Sequence, residues 1–258
     1  MEILELVKPS PWIESEDREW AFKIQSIINQ LEQCFNEALV SLILFDKEMV
    51  KQMDLAADQK VFFEDSARRS AIRRAIEPDF DLTVFENHEH LSNKVESILK
   101  QEKINEGSFP RSMQTTLPFI YAKSFLYSLD TIEKLINILS KQTSVPDDMS
   151  RIQKLMGQNF PDLIHVRDSS HHIEDRVIGQ RRNSKIELQP IDDDGIKSDG
   201  GLLVLSNLAG SSFGCTLGDG RFGKVDVSRE SLDIVRGIIQ SVINSFQWKS
   251  LSRHRSQS

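Results

Sequence analysis

The sequence predicts a mainly α-helical protein, a helical bundle with a small antiparallel β-meander inserted before the last helix. Two periodicities support this fold class. Apolar residues recur at steps of three and four over most of the chain up to about residue 180, as they do on the buried face of a helix. Between about residues 185 and 227, short alternating segments are separated by turns rich in Gly, Asp and Asn, which is typical of antiparallel strands.

Five helices are predicted over the first 160 residues, after an extended lead-in over residues 1–16 that contains Pro9 and Pro11. Proline and glycine mark where two of them end, because proline cannot continue the backbone hydrogen bonding and glycine favours the end of a helix. Pro78 follows the second helix and Gly107 follows the third. The predicted helices cover residues 17–53, 64–76, 82–104, 113–141 and 148–156.

A sixth helix is predicted from about Asp162, whose carboxylate complements the helix dipole, to Gly179. One face of this helix is expected to be buried along its whole length, because four apolar residues and one serine repeat at steps of three and four. These residues are Leu163, Val166, Ser170, Ile173 and Val177.

The β-meander is predicted to cover about residues 185–227, and Ser228 is expected to cap the last helix. A single helical domain is predicted over residues 17–249, followed by a disordered, polar and basic tail over residues 250–258. The strands of the meander are expected near residues 186–191, 202–205, 212–217 and 222–227.

Composition restricts the classes of function. The net charge is −7, which argues against a protein that coats nucleic acid by bulk attraction but permits a local basic site. The longest near-apolar run, residues 38–45, is too short to span a bilayer, and the N-terminus lacks the features of a secretory signal. Cys34 and Cys215 give neither a disulfide framework nor a zinc site. We therefore expect a cytoplasmic protein with no membrane partner, no metal and no cofactor.

One short segment concentrates the groups that bind a phosphate and transfer a proton near neutral pH. It reads Arg167-Asp168-Ser169-Ser170-His171-His172. On an ideal helix, Arg167 and His171 lie four residues apart on one face, and Asp168 and His172 form a second such pair. These side chains flank the apolar stripe, as expected for a site at the edge of a groove or at a subunit interface. The alternative is a solvated helix face with ion pairs between residues four apart.

This segment resembles the signature of the HEPN superfamily, in which an arginine and a polar residue precede a histidine after four to six intervening residues. Arg167, Asp168 and His172 match it with four intervening residues, whereas His171 leaves three. The setting is also similar, because the core of that superfamily is a compact helical bundle with the motif on a late helix. The β-meander departs from this minimal fold.

The resemblance implies a metal-independent endoribonuclease of toxin or defence type. Catalytic members pair two motifs across a homodimer, which forms one composite cleft. His172, with His171 beside it, would then exchange protons with the ribose 2′-hydroxyl or the leaving 5′-oxygen. Arg167 would hold the scissile phosphate of the RNA, and Asp168 would orient His172. The resemblance also allows a protein inhibitor or regulator as a further partner.

Two interpretations stay open, and with them the question whether the protein is an enzyme. The chain is such a ribonuclease, or it is a non-catalytic helical protein that binds a partner or nucleic acid, because some HEPN members are not nucleases. The position of Arg167 and His172 separates the two interpretations. Facing symmetry mates across a groove would favour the nuclease, and internal salt bridges would favour the binding protein.

Six further arginines are candidate nucleic-acid-binding residues: Arg68, Arg69, Arg73, Arg74, Arg181 and Arg182. The first four share one helical surface, which either follows a phosphate backbone or pairs with acidic residues of the chain. The last two follow the motif.

Two other patterns have simpler explanations. The run over residues 217–225 resembles the glycine-rich loop of protein kinases, but too little chain follows it for a catalytic loop. A tight surface hairpin that needs positive φ at Gly218 and Gly220 is the preferred interpretation. His88 and His90 are two residues apart and point away from each other on a helix, which favours an exposed polar turn over a metal site.

Overall fold

Helices make up most of the chain in a computed structural model that covers residues 4–53 and 55–249, without the side chains of residues 53–58. The first helix follows Asp17, whose carboxylate accepts a hydrogen bond from the backbone N–H of Trp20 at 3.0 Å. The last follows Ser228, whose hydroxyl accepts one from the backbone N–H of Ser231 at 3.1 Å, so the predicted cap is confirmed. A 3-10 helix covers Glu77–Asp79. The α-helices are α1 (Arg18–Met53), α2 (Leu55–Ile76), α3 (Phe85–Asn105), α4 (Arg111–Gln114), α5 (Leu117–Ser140), α6 (Met149–Asn159), α7 (Leu163–His171), α8 (Ile173–Val177) and α9 (Arg229–Ser245).

Short antiparallel strands lie between α8 and α9. They form two separate two-stranded hairpins, β1–β2 and β3–β4, and one three-stranded sheet in the order β5-β6-β7. The mainly helical class with antiparallel strands before the last helix is confirmed, and the arrangement of the helices as a bundle stays a prediction. The strands are β1 (Gln180–Arg181), β2 (Ser184–Lys185), β3 (Ile191–Asp193), β4 (Ile196–Ser198), β5 (Asn207–Ala209), β6 (Ser212–Thr216) and β7 (Phe222–Asp226).

The strand predicted over residues 202–205 is wrong, and β5 lies in a segment that was predicted to be a turn. The side chain of Thr216 explains the difference. Its hydroxyl accepts a hydrogen bond from the N–H of Val204 at 2.8 Å and donates to the carbonyl oxygen of Leu202 at 3.0 Å. The backbone N–H of Thr216 also donates to the carbonyl oxygen of Val204 at 2.7 Å, so this segment meets the end of β6 through one residue and forms no regular ladder.

The single helix predicted around the motif is also wrong, because the backbone breaks at His172 (φ −100°, ψ 49°) and separates α7 from α8. The predicted apolar stripe is buried as far as Ser170. Beyond the break, Ile173 and Val177 are 39% and 58% exposed, and Arg176 is buried in their place. The break therefore changes which face of the chain turns inward.

The chain divides into two compact units. Unit 1 combines Met1–Ile43 with Tyr121–Ser258, and unit 2 consists of Leu44–Ile120. The single domain expected over residues 17–249 stays a prediction. The expected disordered tail over residues 250–258 lies outside the described residues.

Unit 1 contains the strands and most of the buried apolar side chains. Helix α7 packs against β6 and β7, and α6 packs against α9. The lead-in is tied to the other end of the unit. Ile13 forms an antiparallel bridge with Trp248, and the backbone N–H of Val7 donates to the side-chain oxygen of Gln240 at 2.9 Å. Helix α7 therefore lies on the β6–β7 part of the sheet.

Unit 2 is built mainly from α2 packed on α3. Leu91, Val95 and Leu99 form the buried stripe of α3. A buried ion pair joins Nζ of Lys103 to Oδ2 of Asp65 at 2.5 Å. Among the described residues of the whole chain, no helix is long and apolar enough to cross a membrane.

Candidate functional site

Arg167 of the motif is held by carboxylates of unit 1. Its Nε lies 3.1 Å from Oδ2 of Asp130 on α5, and its Nη1 lies 2.7 Å from Oδ1 of Asp168. The side chain is 17% exposed, and that of Asp130 is 6% exposed. Lys134 Nζ also donates to Oδ2 of Asp130 at 2.7 Å. This arrangement fixes the guanidinium in an internal ion-pair network, which is the outcome that favours the binding interpretation.

The network around Arg167 contains one further acid. Burial raises the pKa of the Glu133 carboxyl, and the neighbouring Asp130 carboxylate raises it further. Oε2 of Glu133 and Oδ1 of Asp130 are buried without a hydrogen-bond partner in the described part of the chain. Since Arg167 offsets this negative charge, removing its guanidinium would leave buried carboxylates with less compensation.

His171 and His172 lie at the end of α7. The ring of His171 packs edge-on against Tyr127, with centroids 6.4 Å apart, and against the ring of His172 at 5.2 Å. Nδ1 of His172 lies 3.3 Å from Oε1 of Glu174. A hydrogen bond from its own backbone N–H and the contact with His172 lower the pKa of the Glu174 carboxyl. The carboxylate next to the His172 ring is therefore Glu174, not Asp168 as predicted.

Asp168 contributes to the site by another route. Its carbonyl oxygen accepts the backbone N–H of His172 at 3.0 Å, which closes the last turn of α7. Its carboxylate is tied to Arg167 and also lines a pocket. Arg167 thus positions Asp168, and Arg167 itself is not part of the pocket lining.

This pocket, the α7–α8 pocket, has a volume of about 230 Å³ and lies between α7, α8, the β1–β2 turn and the loop between β6 and β7. It brings together two histidines and three arginines. Two of the carboxylates that line it, Asp168 and Asp219, are neutralised by Arg167 and Arg221. The histidines and arginines are His165, His172, Arg176, Arg181 and Arg182.

Arg176 is the least accessible of these cations, with 5% of the residue exposed. Its Nε donates to the hydroxyl of Ser169 at 3.3 Å, and its Nη1 donates to the carbonyl oxygen of Gln180 at 2.8 Å. Among the side chains that the structure describes, no carboxylate lies within ion-pair distance of this guanidinium. Burying a charge without a counter-ion costs several kcal/mol. An anion bound next to the Arg176 guanidinium would offset this cost.

Arg181 and Arg182 border the same pocket from the β1–β2 turn. Positive φ values at Arg182 (47°) and Asn183 (66°) close this turn, and both arginines are exposed. Arg181 crosses the backbone of Gly218 so closely that a Cβ at Gly218 would lie 2.6 Å from Cδ of the arginine. Because Gly218 has no side chain, the side chain of Arg181 can lie at the rim of the pocket.

The arginine surface predicted from Arg68, Arg69, Arg73 and Arg74 belongs to unit 2, whereas the pocket is lined by unit 1. Three of these side chains are engaged by acidic residues of the same unit, which is the pairing that the sequence left open. Arg74 donates to the carbonyl oxygen of Ser70 at 3.2 Å. The three ion pairs are Arg68–Glu106, Arg69–Glu96 and Arg73–Glu77.

The kinase-like run over residues 217–225 and the histidine pair in α3 lie in ordinary elements of the fold. The kinase-like run forms the loop of the β6–β7 hairpin and most of β7. Gly220 in this loop has the predicted positive φ (+88°) and lies against the carbonyl oxygen of Glu187, whereas φ is not positive at Gly218, so that part of the prediction is wrong. The loop is less exposed than a surface hairpin, because Leu217, Gly220 and Gly223 are buried. Nε2 of His88 contacts the carbonyl oxygen of Leu82 at 2.9 Å. In the part of the chain that the structure describes, no group of three or more histidine, cysteine, aspartate or glutamate residues is placed to hold a metal ion.

Sequence reasoning missed His165, Arg176 and Ser169 as site residues, although a signal was present. Together with Asp168 and His172 they follow steps of three, four and seven residues, which place side chains on one helical face. The apolar stripe next to them predicts a buried face, and the motif covers only part of this polar stripe.

Comparison of the chain with protein-family models, with curated proteins and with solved structures finds no match. The resemblance to the HEPN superfamily therefore rests on Arg167, Asp168 and His172 and their helical setting, and it stays a prediction.

Proposed function

We propose that this protein binds RNA through a phosphate group held in the α7–α8 pocket. The observation that carries the proposal is the buried guanidinium of Arg176, which has two neutral hydrogen-bond acceptors and no carboxylate partner in the described chain. A phosphate oxygen accepts charge-assisted hydrogen bonds from such a group and supplies the missing negative charge.

The surroundings of Arg176 favour the same ligand. Arg181 and Arg182 stand exposed at the rim, where they can contact further phosphates along a strand. The net charge of −7 opposes non-specific coating, so binding should depend on this local site. RNA is the preferred ligand because Asp168 and His172, which line the pocket, belong to the segment that resembles the HEPN signature.

Fluorescence polarisation with a short labelled RNA tests the proposal. Replacing Arg176 by glutamine should weaken binding by about tenfold or more, because one charge-assisted hydrogen bond contributes about 1.5–3 kcal/mol. Arg236→Gln is the matched control, since Arg236 is an arginine on α9 that pairs with Asp233 at 2.9 Å. Folding of both variants is checked by circular dichroism. Equal affinity of the two variants would contradict the proposal.

A second candidate function, metal-independent RNA cleavage, is favoured by the presence of His172 in the pocket with Arg176. An imidazole beside a bound phosphodiester can move the proton that cleavage requires. In this reaction Arg176 takes the phosphate-holding role that the resemblance implied for Arg167, because Arg167 is engaged by Asp130 and Asp168.

RNA cleavage in the presence of a chelator tests this second function. The wild-type protein should produce fragments, and His172→Ala should reduce the rate by about a hundredfold or more. His90→Ala, an exposed histidine of α3 in unit 2, is the control and should cleave as the wild type does. Cleavage that requires added divalent metal would exclude this mechanism.

A further inference from the structure

The α7–α8 pocket contains a second histidine, His165, that lies outside the motif. His165 and His172 are seven residues apart, which is two helical turns or about 10 Å along the axis of α7. Both line the pocket, and both are exposed. Asp168 and Ser169 lie between them in sequence on the same face, so the two imidazoles flank one shared space.

His165 differs from His172 in its partners. In the described chain, the ring of His165 has no hydrogen bond or ion pair, so neither nitrogen is occupied by a protein group. The ring of His172 has the carboxylate of Glu174 at its Nδ1. When both ring nitrogens of His172 carry a proton, Nδ1 can donate to Glu174 and the other N–H can donate to a ligand. When the ring of His165 is neutral, one of its nitrogens can accept a proton from a ligand.

We propose that His165 and His172 form the base and the acid of one cleavage site within a single chain. This inference rests on the proposed cleavage function of the same pocket. The HEPN resemblance implied a homodimer, because one motif supplies one acid–base histidine and the reaction needs both a base and an acid. With His165 in the pocket, one chain carries both groups, and a second copy is not required for the chemistry.

The reaction follows from this placement. Neutral His165 takes the proton of the ribose 2′-hydroxyl while that oxygen forms a bond to the adjacent phosphorus. The bond between phosphorus and the 5′-oxygen breaks, and protonated His172 gives its proton to the leaving oxygen. The products are a 2′,3′-cyclic phosphate and a 5′-hydroxyl. Arg176 stabilises the charge on the non-bridging phosphate oxygens, and proton exchange with water restores both histidines.

The first test compares single variants and their mixture in chelator. His165→Ala and His172→Ala should each cleave RNA about a hundredfold or more slower than wild type, while His90→Ala is unchanged. Mixing the two inactive variants should restore no activity, because each pocket still lacks one imidazole. Full activity of His165→Ala, or recovery of activity on mixing, would overturn the inference, since the second group would then be absent or come from another chain.

A second test assigns the two roles. An RNA whose scissile 5′-oxygen is replaced by sulfur needs no acid, because a thiolate leaves without a proton. His172→Ala should cleave this RNA nearly as fast as wild type, and His165→Ala should stay slow. Rescue of His165→Ala instead would overturn the assignment of acid and base.

RNA binding separates the failure of this inference from the failure of the proposed function. Both histidine variants should still bind RNA and should lose less affinity than Arg176→Gln, because Arg176 is unchanged. If wild type binds RNA but does not cleave it in chelator, the acid–base pair is refuted and the binding function stands. If Arg176→Gln also binds like wild type, the binding function fails as well.

Discussion

Replacement of Arg167 by methionine tests whether this motif residue acts in stability or in ligand binding. Its side chain is 17% exposed and lies against the side chain of Asp130, which is 6% exposed. Removing one partner of a buried ion pair costs about 3–5 kcal/mol. Lys134 still contacts Asp130 at 2.7 Å, so the loss should fall near the lower end, about 3 kcal/mol. At roughly 2–4 °C per kcal/mol for a chain of this size, the melting temperature should fall by about 6–12 °C.

Urea unfolding monitored by circular dichroism measures this loss. Arg151→Met is the control, because Arg151 is an exposed arginine on α6 whose change should cost less than about 0.5 kcal/mol. Asp130→Asn combined with Arg167→Met should recover part of the stability, since the uncompensated charge is removed with its partner. Wild-type stability of Arg167→Met together with a loss of RNA affinity would refute this reasoning, because Arg167 would then be available to the ligand.

Three further predictions concern stability and reactivity. Gly220→Ala should destabilise the protein by more than about 2 kcal/mol in urea, because its Cβ would lie 1.7 Å from the carbonyl oxygen of Glu187 and φ is +88°. Gly195→Ala, at φ +81° with open space around it, should cost only about 1 kcal/mol, and equal losses would contradict the close approach. Cys215 should resist iodoacetamide at neutral pH until urea unfolds the protein, because burial raises its pKa to about 11, and rapid labelling of the native protein detected by mass spectrometry would contradict this. Inorganic phosphate at about a hundred times its dissociation constant should stabilise wild type by about 2.7 kcal/mol relative to chloride, and Arg176→Gln should lose this effect in thermal unfolding.

The elements that could be predicted from the sequence depend on local interactions. Helix α1 was expected over residues 17–53 and is found over Arg18–Met53, because its apolar period is long and uninterrupted. Ser228 was expected to cap α9 and does so, since capping involves residues three apart. The β6–β7 hairpin was likewise indicated by alternating residues on both sides of a glycine-containing turn.

The candidate site could be predicted only in part, because its decisive contacts are tertiary. The pairing of Arg167 with Asp130 joins α7 to α5, and no sequence period reports such a contact. The break at His172 follows an apparently continuous helical pattern and brings Arg176 into the interior, against Ser169 and Gln180. His172 and Asp168, which the sequence singled out as motif residues, line the α7–α8 pocket, and their catalytic role stays a prediction. His165 and Arg176 line the same pocket and were not singled out in the sequence.

The division of unit 1 into two stretches of sequence affects how the protein folds during synthesis. Unit 2 is one continuous segment, Leu44–Ile120, so its contacts between α2 and α3 can form as soon as that segment leaves the ribosome. The bridge at Ile13 must instead wait for its partner Trp248, which is synthesised after the whole of unit 2. We therefore expect ribosome-bound chains that stop before α9 to protect unit 2 from proteolysis and to leave the first stretch of unit 1 open to chaperones. The residues that line the α7–α8 pocket all follow unit 2 in sequence, so the pocket would form only after unit 2 has been synthesised.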